Sequence, residues 1–205
     1  GNVSFYNETK NKAISPTPTI GAVGLIKNLD LMMSKNFKKL DSFILVVGKT
    51  SGHLYQSELF REVLNIKDGP SPEVNLFNEK NNGESLLNLI EKDYIKSAHD
   101  VSLGGIITAI SKMSIKGNKG IKLSKFKNLM NEIDYLFAED QGRYLIEINP
   151  KDLKNVNKIL DKNSVYHEEL GVIIDKEMII NEKTKLTIDE LRSYNTNWLI
   201  NYMST

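Results

Sequence analysis

Cysteine is absent from all 205 residues. That absence removes disulfides, thiolate zinc sites and cysteine nucleophiles together. Histidine is almost as scarce, with three residues in the chain, so a metal centre built from several imidazoles has little to draw on. An excess of one charge is missing too. Lys plus Arg number 27 against 26 Asp plus Glu, a formal net charge of +1, which argues against a nucleic-acid or membrane-surface protein held by charge. No apolar run approaches the ~20 residues that a membrane span needs. The opening Gly1-Asn2-Val3-Ser4 has neither an initiator Met nor a charged-then-apolar signal pattern. What is present suits a packed core: 40% hydrophobic and 26% charged residues, too apolar for disorder. The expectation is a soluble, cytoplasmic, globular piece that begins mid-protein. Its length gives a prior of one to two domains.

Residues 1–19 read as a polar leader punctuated by Pro16 and Pro18, which block helix and central strand alike. From Ile20 the composition turns apolar. Ile20–Ile26 is short enough for a buried strand, and Phe43–Val47 is a second. Leu54, Leu59, Val63 and Leu64 share a helical face, and Leu86, Leu87, Leu89, Ile90 and Ile95 do so more clearly. Gly104-Gly105 opens another helix, and Phe126–Met130 lies in a weaker helical stretch. Tyr144–Ile148 reads as a strand stopped by Asn149-Pro150, and Val156, Ile159 and Leu160 give a helix face. Val172–Ile174 and Met178–Ile180 read as strands, and Ile188 to Tyr202 as a closing helix. Strands and helices mix without strict alternation, so an α+β fold around one core is expected.

Four motifs invite chemistry. Gly48-Lys49-Thr50 resembles the tail of a phosphate-binding P-loop, but the glycine required five positions earlier is Phe43. A plain exit from a strand replaces that reading. Ser97-Ala98-His99-Asp100-Val101-Ser102-Leu103-Gly104-Gly105 is richer. Its glycines allow close backbone approach, the free N–H groups of a helix start attract anions, and Asp100 could hold Mg²⁺ beside a phosphate. The plainer reading, favoured on spacing alone, has Asp100 or Ser102 capping the helix and His99 packed. Gly1–Glu8 alternates like an edge strand, and a functional reading would need Asn2 and Ser4 to face a ligand. Glu139-Asp140-Gln141-Gly142-Arg143 reads as a solvated turn whose charges pair locally rather than as a catalytic dyad. His53 and His167 sit in polar company and read as surface residues.

Taken in order, these segments resemble the phosphoribosylformylglycinamidine synthase family in its synthetase subunit, within the aminoimidazole ribonucleotide synthetase-like superfamily. The resemblance rests on Gly1–Thr9, Pro16–Gly21, Leu45–Gly48, Gln56–Glu58, Ala98–Ser102 with Gly104 and Gly105, and Leu136-Phe137 with Glu139 and Arg143. It implies a three-layer α/β/α domain, partly ferredoxin-like. Residues 1–19 would end a preceding ATP-binding half, and residues 20–205 would form the C-terminal α+β domain. It further implies a carbon–nitrogen ligase in purine biosynthesis that uses ATP and Mg²⁺ to activate formylglycinamide ribonucleotide for attack by ammonia. A glutaminase subunit and a small bridging subunit would be partners, and no nucleic acid or membrane would be. Carried over residue by residue, Asp100 would contact the metal or a phosphate, and His99, Ser102, Gly104 and Gly105 would shape the same loop. Asn2, Ser4 and Asn7 would lie near the nucleotide or substrate. The family usually has an acidic residue where Leu103 stands. The fragment alone is expected to be inactive. The alternatives are a nucleotide-holding or assembly module without turnover, or another superfamily member such as a selenophosphate synthetase or a hydrogenase maturation protein.

Overall fold

The structure, a computed structural model, describes residues 8–13, 19–26, 28–124 and 130–204. The chain divides into two compact units, Gly1–Met32 and Met33–Thr205. In the first, β1 (Glu8–Thr9) and β2 (Lys12–Ala13) pair antiparallel across Lys10 and Asn11, both at positive φ, as the twist of a two-residue hairpin demands. A short 3-10 turn at Leu29–Leu31 is capped by Asn28, whose side chain accepts from the Asp30 N–H. The buried strand expected at Ile20–Ile26 is not found: the segment is irregular, and Ile20, Val23 and Leu25 are almost wholly exposed. Apolar composition specifies burial only when a ladder partner exists. None of the described residues pairs with this run, and Gly21 and Gly24 weaken it as a strand.

The second unit contains β3 (Phe43–Val47), α1 (Leu76–Glu91), β4 (Ile95–Asp100), α2 (Gly105–Gly117), β5 (Gly120–Leu123), α3 (Glu132–Phe137) and β6 (Tyr144–Ile148). It continues with α4 (Leu153–Lys162), β7 (His167–Ile174), β8 (Glu177–Ile180), β9 (Thr184–Thr187) and α5 (Ile188–Met203). Its seven strands form one mixed sheet in the order β4-β6-β3-β7-β5-β8-β9, antiparallel except for β5 beside β8. The succession β3-α1-β4-β6-α4-β7 with four adjacent antiparallel strands is the split βαβ arrangement of ferredoxin-like folds. α2, β5 and α3 are inserted between β4 and β6, and β8, β9 and α5 extend the sheet.

Side-chain alternation along β3 explains the layers. Ile44 and Val46 face a core with Leu145, Ile121 and Ile173 beneath α2 and α3, which contribute Ile106, Ile110, Met113, Tyr135 and Leu136. Leu45 and Val47 face a second core with Ile146, Ile148 and Ile95 beneath α1 and α4, which contribute Leu89, Val156 and Leu160. Each such buried side chain stabilises by roughly 1.5–3 kcal/mol. The expected α+β, three-layer domain is therefore present.

One helical expectation needs correction, and another is met with most of its apolar residues unburied. Leu54 to Leu64 forms only one π-helical turn, Leu59–Val63, and leaves Val63 and Leu64 exposed. Positive φ at Gly52 and Gln56 interrupts the segment before a helix can nucleate. The closing helix exists, started by a capping box between Thr187 and Glu190, yet only Ile188 is buried, and Trp198, Leu199 and Tyr202 face outward. Of the Phe126–Met130 stretch, residues 126–129 lie outside the described residues.

Strand register sets the two ends of the sheet. Val47, Tyr144, Asp100 and His167 share one end, where β3 exits. Phe43, Ile148 and Ile95 share the other. Just inside that far end, Glu147 is wholly buried and accepts from the N–H of Lys38 at 2.8 Å, the N–H of Lys39 at 2.9 Å and the Ser97 hydroxyl at 2.9 Å.

Candidate functional site

Where β3 exits, the chain opens a cleft of about 730 Å³. Gly48 stands at its base with φ +96°, its N–H bonded to the Tyr166 carbonyl at 2.8 Å. A Cβ there would lie 2.5 Å from the Gly142 carbonyl oxygen, so only glycine allows this approach. Lys49 follows as a strand-to-loop exit. One wall is the start of α1, where Asn75 caps the Asn78 N–H at 3.0 Å and the buried Asn82 donates Nδ2–H to the Gly142 carbonyl at 2.8 Å. The opposite wall is the 51–60 loop, stiffened by an edge-to-face pair of Tyr55 and Phe60, 5.7 Å between centroids. His53 also lines the cleft; it and His167 are both half-buried at the surface.

The His-Asp segment ends β4 at the same end of the sheet but lines a separate depression of about 460 Å³ with Lys35, Leu86, Ile90 and Tyr144. His99 Nδ1 lies 2.9 Å from Asp100 Oδ1, and His99 Nε2 is buried without a hydrogen bond among the described residues. The Asp100 side chain is 62% exposed. Partial burial pushes its pKa up, but hydrogen bonds from Ser102 and His99, with the imidazole charge, more than offset this and hold it below the ordinary value. The carboxylate therefore stays ionised. Gly104 and Gly105 have φ of +80° and +69°. A Cβ on Gly105 would come within 2.6 Å of the Ala138 oxygen and 2.7 Å of the Leu136 oxygen, so close packing of α2 requires it. Neither Asp100 nor Ser102 caps α2. Its N-cap is Gly104, whose N–H donates to Glu139 Oε1 at 2.8 Å. Leu103 is exposed beside it.

Glu139–Arg143 is not the solvated turn its composition suggests. The Arg143 side chain is buried, and burial pushes the guanidinium pKa down against the opposing charge of Asp140. Its NH1 donates to Thr50 Oγ1 at 3.0 Å, NH2 to the Ala138 carbonyl at 2.7 Å, and Nε to the Asp140 carbonyl at 3.1 Å. Asp140 Oδ2 accepts from the N–H of Ser51 at 2.9 Å and of Gly52 at 3.2 Å. Glu139 Oε1 accepts from Glu58 N–H as well as Gly104 N–H, both at 2.8 Å. The two carboxylates pair with backbone groups far away in sequence, while Arg143 pairs locally with the Ala138 and Asp140 carbonyls and reaches one distant group, the Thr50 hydroxyl. The one available hint was an arginine set directly against an apolar strand.

The structure thus brings His99, Asp100, Ser102, Gly104 and Gly105 into one loop. Asn2, Ser4 and Asn7 lie outside the described residues. Among the described residues no three carboxylates or histidines converge as a metal site, and no helix is long and apolar enough to cross a membrane.

Residues 42–181 match the family of AIR synthase related proteins, in its C-terminal domain, and the chain belongs to that family. It is 60% identical over 203 residues to the phosphoribosylformylglycinamidine synthase subunit PurL of Pelagibacter ubique, covering 99% of this chain and 28% of the relative. It is 37% identical over 203 residues to the PurL subunit of Bartonella bacilliformis, covering 99% and 27%. The chain therefore spans under a third of the length of these curated relatives. Among solved structures, Thermotoga maritima PurL complexed with FGAR superimposes with a TM-score of 0.68 at 18% identity, over 80% of this chain and 30% of that one. The hydrogenase maturation protein HypE of E. coli gives 0.55 at 13% identity, over 76% and 52%. At such identities the two share the fold. The expected family and architecture are thereby established.

Proposed function

We propose that this chain serves as the C-terminal part of a phosphoribosylformylglycinamidine synthase, converting formylglycinamide ribonucleotide, ATP and ammonia to formylglycinamidine ribonucleotide in the cytoplasm. The observation that carries the reading is 60% identity to a PurL subunit across 99% of the chain. Structures of Thermotoga maritima PurL with ATP, with FGAR and as PurLQS support the nucleotide, the substrate and two partner subunits, a glutaminase and a small bridging protein. Residues 1–19 would close a preceding ATP-binding half, with Asn2, Ser4 and Asn7 near the nucleotide.

Phosphoryl transfer is catalysed mainly by positioning and by electrostatic stabilisation of the moving charge. In this reading the ionised, solvent-reaching carboxylate of Asp100 would hold Mg²⁺, a hard ion that prefers such oxygen ligands. The metal would neutralise charge on the transferred phosphoryl group. His99 and Ser102 hold the carboxylate in place through their hydrogen bonds. Glycines at 104 and 105 turn the chain from the end of β4 into α2. A second reading, a nucleotide-holding module without turnover, is favoured by the lack of any converging carboxylate cluster at Asp100 among the described residues.

The test replaces the matching 203 residues of the Pelagibacter relative with this chain and assays the hybrid with substrate, ATP, Mg²⁺ and ammonia. The expected result is turnover by the hybrid, none by the 205-residue chain alone, and loss of turnover in the hybrid carrying Asp100→Asn. A folded but inactive hybrid overturns the assignment. Full activity of the Asp100→Asn hybrid supports the second reading.

A further inference from the structure

We infer that Glu139 is a positioning residue whose single oxygen Oε1 couples the loop walling the cleft to the loop carrying Asp100, so that the two loops shift together. Glu58 N–H and Gly104 N–H both donate to that oxygen at 2.8 Å, although they belong to different loops. The site is well suited to a carboxylate. Gly104 starts the 13-residue helix α2, whose N-terminus favours negative charge. Glu139 also donates its own N–H to the His53 carbonyl at 3.0 Å, and Asp140 next to it accepts from Ser51 and Gly52. The cleft wall is thus held by four hydrogen bonds from two consecutive residues. On the other side, the close seat of Gly105 against Ala138 and Leu136 leaves α2 no slack. Arg143, buried just before β6, grips the Ala138 and Asp140 carbonyls and fixes the clasp from behind.

A ligand that displaces the 51–60 loop must therefore move Gly104, and with it the turn that follows Asp100. The coupling stands on this geometry. Its bearing on phosphoryl transfer rests on the function proposed above.

The experiment follows backbone amides of the isotopically labelled 205-residue chain by NMR, so it does not depend on turnover. Glu139→Ala should speed hydrogen exchange at both Glu58 and Gly104 by about tenfold or more, since both lose a charged acceptor. Glu139→Gln keeps an accepting oxygen and should retain most of the protection at both. The decisive variant is Glu58→Pro, which deletes one donor at a φ of −57° that proline adopts. Coupling predicts shifted amides at Gly104 and in the turn between Asp100 and Gly104 in that variant. Should Glu58→Pro leave the amides of Gly104 and of the turn before it unmoved, the two contacts are independent caps and the inference fails. It fails equally if Glu139→Ala frees one amide and not the other. If Glu139→Ala does not fold, the proline and glutamine variants still decide.

Discussion

The two ends of the sheet solve one problem in opposite ways. At the far end Glu147 is sealed, with its acceptors filled by Lys38, Lys39 and Ser97, and it lines none of the cavities described. At the β3 exit Glu139 and Asp140 also accept backbone N–H groups, but those groups belong to loops that border open space. A carboxylate closed on all sides fixes register and cannot respond to anything. One that holds loops around a cleft transmits their movement. Burial of a charge is costly unless every lone pair is met, so the far end reads as architecture and the exit end as the working face.

The largest effect should come from Glu147→Ala, which takes the acceptor from the Lys38 and Lys39 N–H groups and from the buried Ser97 hydroxyl and empties a wholly buried site. It should cost about 3 kcal/mol or more of unfolding free energy, read by denaturant titration. A loss under about 1 kcal/mol would make the far end no more than a local cap and erase the contrast. Gly105→Ala should come next, at about 2 kcal/mol, because it combines a left-handed φ with a Cβ pressed on two carbonyl oxygens. Thr187→Ala, at neither end, sets a scale: removing the capping box should cost about 1 kcal/mol and loosen α5 while the sheet stays intact. Asp100→Asn should barely move stability near neutral pH, since its carboxylate is largely solvated. Its signature lies in acid. A carboxylate whose folded pKa is depressed stabilises above its ordinary pKa and loses that contribution as pH falls through the lowered value. The wild type should therefore lose stability on acidification slightly more steeply than Asp100→Asn. Equal acid limbs would remove the interaction with Ser102 and His99.

Much of the fold is legible in sequence because period and length agree. Phe43–Val47, Tyr144–Ile148 and the helix after Gly105 each carry enough apolar residues at the right spacing to specify their state. The His99–Gly105 loop is legible as well, since glycines beside a histidine and two oxygen-bearing side chains form a local pattern. Three things are not. Ile20–Ile26 is apolar without a partner, and local composition cannot report whether a partner exists. The roles of Glu139 and Asp140 depend on backbone groups at 51–58 and 104, and that of Arg143 on the Thr50 hydroxyl; non-local bonds leave no spacing to read. The cleft is shaped by Gly48 meeting Gly142, a contact between loops that only the register of β3 against β6 creates.

The outward-facing end of α5 has an optical consequence. Trp198 is the sole tryptophan in the chain; it is 60% exposed, and its ring lies 6.3 Å from that of Tyr202 on the same helix. Its emission should therefore be red-shifted and easily quenched in the native protein, and should change little when the two cores come apart. Thermal scans read by tryptophan fluorescence would follow the fraying of one helix, while circular dichroism would follow the sheet. The gap between the two midpoints becomes a direct gauge of how independently α5 melts.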